Sequence, residues 1–92
     1  MKYSVEFLPA ARRDYLALPQ LVRRRVDVGL EVLAQDPLGS ATVPLRRSLK
    51  GRRKCRIGDY RVVYTVYQGA MVVEVVAVGH RSRVYEDAER RE

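Results

Sequence analysis

The chain has 92 residues, 47% of them hydrophobic, and carries a formal net charge of +7. This length predicts a single domain over residues 1–92, with little stability to spare. There is no apolar run of about 18 residues, no apolar signal-peptide segment and only one cysteine, so we expect a cytoplasmic protein with no internal disulfide and no membrane contact.

The first third of the chain predicts a strand followed by a helical hairpin. Residues 3–7 alternate apolar and polar side chains, as a half-buried strand does, and Pro9 suits the first turn of a helix. Pro19 ends that helix and opens a second one over residues 20–35, whose apolar residues keep a helical spacing. The Asp-Pro pair at 36–37 ends the second helix.

The second helix carries three consecutive arginines and one glycine. We expect Arg23–Arg25 to form a solvated face that pairs locally with Asp27 and Glu31, which follow at helical distances. Gly29 costs such a helix about 1 kcal/mol relative to alanine. A close contact with the first helix would explain this glycine.

The second half of the chain predicts three strands joined by short turns. Lys54 and Arg56 are two residues apart and so share one face of the first of these strands, while Cys55 packs on the other face. The remaining predicted elements are a loop at 37–44, a tight turn at 58–59, a strand at 60–67, a hairpin loop at 68–70 and a central strand at 71–78. The strand tyrosines are predicted to pack in the sheet rather than to stack on bases: Tyr60, Tyr64 and Tyr67.

The order of these elements predicts an α+β fold. An N-terminal strand and a two-helix hairpin pack on a mostly antiparallel sheet that is completed by three C-terminal strands. Residues 86–92 mix acids and arginines without apolar anchors, so we expect this tail to fray.

The positive charge is concentrated in one segment. Between Arg46 and Arg61 there are eight cations and one acid, Asp59, so this segment carries the whole net charge of +7 and the remainder is neutral. Such concentration is typical of a surface that binds phosphate or an anionic protein. A solvated face without a binding role is the alternative.

Elimination narrows the chemistry available to this segment. One cysteine and one histidine cannot form a zinc site, no nucleophile motif accompanies His80, and acids are sparse, so we expect no metal and no other cofactor. RNA cleavage needs neither, because the ribose 2′-hydroxyl is itself the nucleophile and the protein supplies cations, a base and an acid. Arginines suit charge stabilisation, and Tyr85 or His80 suits proton transfer. A hydrogen-bonded position at a strand end is the alternative for His80.

Three motifs carry a resemblance to a known family. Residues 49–51 (Leu-Lys-Gly), residues 56–64 (Arg-Ile-Gly-Asp-Tyr-Arg-Val-Val-Tyr) and residues 78–85 (Val-Gly-His-Arg-Ser-Arg-Val-Tyr) resemble the RelE/ParE toxin superfamily of bacterial toxin–antitoxin pairs. The match covers nearly the whole chain, because the helical hairpin and the strand order also agree. The combination of motifs is specific, whereas any one of them alone is weak.

The resemblance implies a set of site residues in the RelE-like branch, which cuts mRNA in the ribosomal A site without metal. It assigns phosphate binding and orientation to Lys54 and Arg56, and transition-state stabilisation to Arg61. Arg81 would stabilise the transition state too, or help to protonate the leaving oxygen, and Tyr85 would be the general base or a stacking group. The other cations are expected to bind ribosomal RNA or the antitoxin: Arg46, Arg47, Lys50, Arg52, Arg53, His80 and Arg83.

The resemblance also implies partners and leaves two alternatives. We expect a cognate antitoxin with an acidic or amphipathic segment, together with the ribosome and mRNA, and we expect DNA contact only indirectly through the antitoxin. The first alternative is a ParE-like inhibitor of DNA gyrase without nuclease activity. The second is a non-enzymatic RNA-binding module.

Overall fold

A computed structural model describes residues 2–91, which form five strands, three α-helices and one 3-10 turn. The strands are β1 (Ser4–Phe7), β2 (Thr42–Pro44), β3 (Arg53–Ile57), β4 (Tyr60–Tyr67) and β5 (Val72–His80). The helices are α1 (Pro9–Leu16), α2 (Gln20–Gln35) and α3 (Val84–Glu89), and the 3-10 turn is Arg47–Leu49. No helix within residues 2–91 is long and apolar enough to cross a membrane.

The strands form one mixed sheet in the order β1-β5-β4-β3-β2. β1 runs parallel to β5, with Ser4 beside Val72, and the other three strand pairs are antiparallel. The helical hairpin and strands β2 to β4 lie between β1 and β5 in the chain, consistent with the rule that a tight turn cannot connect parallel strands. The predicted α+β fold with a mostly antiparallel sheet is therefore confirmed.

The sheet buries apolar residues on both faces. α1 and α2 cover one face, which contains Val62 and Tyr64 of β4, and α3 covers the opposite face, which contains Val63. A bulge in β5 between these two cores directs both Val76 and Ala77 towards α3. The helical hairpin and α3 thus bury opposite faces of the sheet. We call the face that α3 covers the α3 face.

The C-terminal segment is ordered, so the prediction that residues 86–92 fray is wrong for those the structure describes. Residues 84–89 form α3, because Val84 and Ala88 are one helical turn apart and are buried against the sheet. Glu86 and Asp87 lie in its first turn, where acidic side chains interact favourably with the helix dipole. Residue 92 lies outside the described residues. The short strand β2 and the 3-10 turn were also not predicted.

The local pairing expected for Arg23–Arg25 is not observed. Asp27 accepts a 2.5 Å hydrogen bond from the Tyr15 hydroxyl, and Glu31 forms a salt bridge of 3.2 Å with Lys2. The hydrogen bond to Asp27 also raises the pKa of Tyr15. Both acids of the helix are therefore paired with residues other than its arginines.

Gly29 contacts β3 rather than the first helix. A β-carbon at position 29 would lie 2.6 Å from Cδ1 of Ile57, so only glycine lets α2 approach this end of the strand without displacing that side chain. The expectation of a contact between α1 and Gly29 is wrong, although a close approach is indeed present.

Candidate functional site

Lys54 and Tyr85 meet on the α3 face of the sheet. Lys54 projects from β3, and its Nζ lies 5.5 Å from the centroid of the Tyr85 ring at the start of α3. An ammonium at this distance from an aromatic ring is attracted to its electron-rich face. Two residues that are 31 positions apart in the sequence are thus in direct contact, as a shared site requires.

Arg56 and Arg61 face each other across the antiparallel pair of β3 and β4. Arg61 is only 9% exposed, and its Nη1 donates to the carbonyl oxygens of Gly58 at 2.9 Å and Tyr60 at 2.8 Å. Like charges directly opposite each other destabilise a sheet. A bound anion would relieve the repulsion between these two arginines, so the pair is consistent with a phosphate site.

Arg81 and His80 lie where β5 ends, beside the turn that joins β3 to β4. The backbone N–H of Arg81 donates to the carbonyl oxygen of Asp59 at 2.8 Å, which fixes the Arg81 backbone beside that turn, and the Arg81 side chain is exposed. Nδ1 of His80 accepts from the backbone N–H of Ser82 at 3.2 Å, and its ring meets the Tyr60 ring edge-on at 5.6 Å. His80 therefore occupies a hydrogen-bonded position at the strand end, which was the alternative to a functional role. Its predicted binding role stays a prediction.

Several contacts hold α3, and through it Tyr85, against the sheet. The Ser48 hydroxyl donates to Glu89 at 2.6 Å, which joins the 3-10 turn to the helix. Beyond the helix, Arg91 forms an ion pair with Asp14 of α1. Sequence reasoning missed all of these residues, although the four-residue spacing of Val84 and Ala88 was a visible signal of a helix.

The basic segment before β3 divides between surface and structure. Arg46, Arg47 and Lys50 are exposed, whereas Nη2 of Arg52 donates to the Arg91 carbonyl oxygen at 3.4 Å. Nε of Arg52 is buried and has no hydrogen-bond partner within the described part of the chain. Of these cations, Arg52 contacts the segment that follows α3, and the predicted binding roles of all four stay predictions.

Arg53 lies on the opposite face from Lys54, as the alternation along β3 requires. Its Nε and Nη2 donate to Oγ1 of buried Thr42 at 3.2 Å and 2.8 Å. The structure therefore does not bring Arg53 together with the proposed site. Arg83, also predicted to bind, is exposed and immediately precedes α3.

The arrangement offers a cationic sheet face with a phenol at its edge. Lys54, Arg56 and Arg61 share the α3 face, and Tyr85 contacts the first of them. Over residues 2–91, no three histidine, cysteine or acidic side chains group as metal ligands. Cys55 is buried in the helical-hairpin core, where burial raises the pKa of its thiol, and its predicted packing role is confirmed.

The fold and this basic site define a toxin of the type II toxin–antitoxin class. The family model described as "ParE toxin of type II toxin-antitoxin system, parDE" matches residues 5–85, so the chain belongs to this family. The resemblance to the RelE/ParE superfamily is thereby confirmed.

Named relatives and solved structures agree with this assignment. The chain is 35% identical to Toxin RelG of Mycobacterium tuberculosis over 86 residues, which cover 92% of this chain and 98% of the relative. It resembles the toxin–antitoxin complex RelBE2 of the same organism with a TM-score of 0.79 and 34% identity, covering 88% of this chain and 100% of the other. It also resembles a mutant of the E. coli toxin RelE in the free state, with a TM-score of 0.79, 29% identity and coverage of 98% and 97%.

Proposed function

We propose that this toxin is a ribosome-dependent mRNA endonuclease that arrests translation. The observation that carries the proposal is the contact of Lys54 with Tyr85 on the sheet face that also holds the opposed pair of Arg56 and Arg61. Cleavage by the RNA's own hydroxyl requires cations and a proton-transfer group. Cations and a phenol that are far apart in the sequence meet these requirements on one face of the sheet. Similarity to toxins named RelG and RelE supports the same assignment.

In the proposed reaction, the ribose 2′-oxygen attacks the adjacent phosphorus. The oxygen of Tyr85, whose ring lies beside Nζ of Lys54, accepts the proton of the 2′-hydroxyl, while Arg56 orients the phosphate. The 2′-oxygen–phosphorus bond forms as the bond from phosphorus to the 5′-oxygen breaks, which yields a 2′,3′-cyclic phosphate and a free 5′-hydroxyl. Arg61 and Arg81 stabilise the charge on the phosphorane and on the leaving oxygen, which takes up a proton from solvent.

The proposed partners are a cognate antitoxin, the ribosome and mRNA. The solved RelBE2 structure of M. tuberculosis is a toxin–antitoxin complex, which supports an antitoxin for this chain. The net charge of +7 favours association with an acidic segment and with ribosomal RNA. Contact with DNA is assigned to the antitoxin.

Translation of a defined mRNA in a purified system tests the proposal. Wild-type protein is expected to cut the translated message, as mapped by primer extension, and Tyr85→Phe is expected to reduce the rate by about 10²- to 10⁴-fold through loss of proton transfer. Tyr67→Phe is the matched control, because Tyr67 is 48% exposed near the far end of β4 and lies outside the site. Undiminished cutting by Tyr85→Phe would remove the catalytic role of the phenol.

The second candidate function is inhibition of DNA gyrase without nuclease activity. The matching family model favours it, because that model describes ParE toxins. A supercoiling assay with purified gyrase separates the two functions. Inhibited supercoiling together with intact translated mRNA supports the second candidate, and activity in neither assay supports the non-enzymatic RNA-binding module.

A further inference from the structure

We propose that Arg25, on helix α2, is an additional phosphate-binding residue that extends the RNA-binding surface onto the helical hairpin. The inference rests on the proposed function, because it takes RNA as the ligand. It goes beyond the strand residues of the site by assigning a role to a helix whose arginines are predicted from the sequence alone to form a solvated face.

α2 packs on the face of the sheet opposite the proposed site, and its close approach to the end of β3 places Arg25 at the turn between β3 and β4, which directly adjoins the strand positions of Arg56 and Arg61. Gly29 packs against the side chain of Ile57, the last residue of β3. Arg25 precedes Gly29 by one helical turn, and Gly58 follows Ile57 in the turn between β3 and β4. Consistent with this geometry, a β-carbon at Gly58 would lie 3.5 Å from Nη1 of Arg25, so the guanidinium lies against the turn.

Other arginines meet the same turn from different elements. Arg61 donates to the Gly58 carbonyl oxygen, and the backbone of Arg81 donates to that of Asp59. Arg56 lies opposite Arg61 in the antiparallel pair of β3 and β4, next to this turn. Four arginines from α2, β3, β4 and the residue after β5 therefore surround one tight turn.

This cluster has little compensating negative charge. Within residues 2–91, no carboxylate lies within 4 Å of the Arg25 guanidinium, because Asp27 accepts from Tyr15 and Glu31 pairs with Lys2. Asp59 is the one acid in the turn itself. Arg25 thus keeps its full charge for an external anion.

The chemistry of the cluster favours RNA over an acidic peptide as its ligand. Guanidinium groups bind phosphate through two parallel hydrogen bonds, and a run of them matches a sugar-phosphate backbone. Interfaces with proteins are centred on buried apolar anchors. The exposed apolar residues of α2 are Leu21, Val28 and Val32, which lie along the helix about one turn before, one turn after and two turns after Arg25, and none belongs to the turn between β3 and β4. An antitoxin segment bound over those residues is the competing occupant.

Salt-dependent RNA binding tests the inference with matched variants. The probe is a fluorescein-labelled single-stranded RNA 12-mer with 2′-O-methyl groups, which cannot be cut by its own hydroxyls, and Kd is measured by anisotropy from 50 to 200 mM KCl. Arg25→Gln is expected to lower the slope of log Kd against log salt by about 0.7, equivalent to a rise of about fivefold in Kd at 0.1 M. Arg24→Gln makes the same charge change on the adjacent exposed residue, which lies about 100° around the helix from Arg25, and it is expected to leave the slope unchanged.

Any other result of the RNA-binding assay overturns the inference, and the form of the result identifies the reason. Equal slopes for the wild type and Arg25→Gln, or equal losses in both variants, show that Arg25 makes no specific phosphate contact. Weaker binding of Arg25→Gln to the cognate antitoxin, with an unchanged RNA slope, assigns the residue to the protein partner. Absence of any RNA binding by the wild type overturns the inference together with the RNA target, whereas the expected slopes without cleavage of translated mRNA leave the inference standing and reject the nuclease.

Discussion

Asp14 and Arg91 form a bidentate ion pair across the edge of β5 that β1 leaves uncovered. Nη1 of Arg91 lies 2.5 Å from Oδ2 of Asp14, and Nη2 lies 3.1 Å from Oδ1. The same two groups satisfy the backbone of β5 beyond its last pair with β1, because Asp14 accepts from the N–H of Val78 and Arg91 donates to the carbonyl oxygen of Val76. The hydrogen bonds to Asp14 raise the pKa of Arg91. The pair therefore joins α1 to the segment that follows α3.

Removing this ion pair is expected to loosen α3 and the Tyr85 that it carries. Arg91→Ala leaves the Asp14 carboxylate largely buried without its partner, so we expect the free energy of unfolding in urea to fall by about 2 kcal/mol. Hydrogen exchange of residues 84–89 should become faster than in the wild type.

The neighbouring Arg90→Ala is the matched control for that variant. Arg90 pairs with Asp87 at 2.5 Å, but its side chain is 69% exposed, and a surface pair of this kind contributes less than about 1 kcal/mol. Equal losses from the two substitutions would contradict the assignment of a special role to the pair of Asp14 and Arg91.

Arg56 and Arg61, which lie opposite each other on β3 and β4, predict opposite effects of one substitution on stability and on RNA binding. Arg56→Gln relieves the repulsion with Arg61, so we expect the free energy of unfolding to rise by about 0.5 kcal/mol while the affinity for RNA falls. Arg53→Gln should do the reverse, losing about 1 kcal/mol with its hydrogen bonds to Thr42 and leaving RNA binding unchanged. Thermal unfolding and RNA anisotropy measure the two quantities, and a stability loss in Arg56→Gln would show that the repulsion is already compensated.

Proline and glycine positions made most of the fold predictable. Pro9 and Pro19 mark the starts of the two hairpin helices, and α2 was predicted with the bounds observed. Gly58 adopts a positive φ of 59° in the turn that separates β3 from β4. Each of these signals acts within a few residues of the chain, and so sequence reasoning could use them directly.

The missed features depend on contacts between distant residues. Val84 and Ala88 become a buried helical face only because the sheet has a second apolar side to receive them. The arginines of α2 were assigned to Asp27 and Glu31 by helical spacing alone. Tyr15 and Lys2, from elsewhere in the chain, occupy those carboxylates instead.

The contact between Gly29 and Ile57 predicts a non-additive pair of substitutions. Gly29→Ala improves the helix propensity of α2 by about 1 kcal/mol, but its methyl group would meet Cδ1 of Ile57 at 2.6 Å. We therefore expect the single substitution to gain less stability than this. The double variant with Ile57→Val removes Cδ1 and should show a favourable interaction energy of at least about 0.5 kcal/mol in a double-mutant cycle, measured by urea unfolding. Strict additivity would mean that the side chain of Ile57 moves aside at no cost.

Tyr64 predicts a loss of stability at alkaline pH. Its ring is fully buried, its hydroxyl donates to the Pro37 carbonyl oxygen at 2.7 Å, and burial raises its pKa above the ordinary value of about 10. Because the unfolded chain then releases this proton at a lower pH than the folded chain, the stability contributed by neutral Tyr64 is complete below pH about 10. It is lost as the pH rises towards the folded-state pKa.

Urea unfolding at pH values from 8 to 11 measures this dependence. Tyr64→Phe is expected to cost about 1 kcal/mol at pH 8, because the hydrogen bond to Pro37 is lost, and to flatten the alkaline decline. Tyr67→Phe is the control, since Tyr67 is 48% exposed and contributes no burial of this kind. An alkaline decline of the same steepness in Tyr64→Phe and in the wild type would assign the decline to other groups, of which the buried thiol of Cys55, with its own raised pKa, is the first to test.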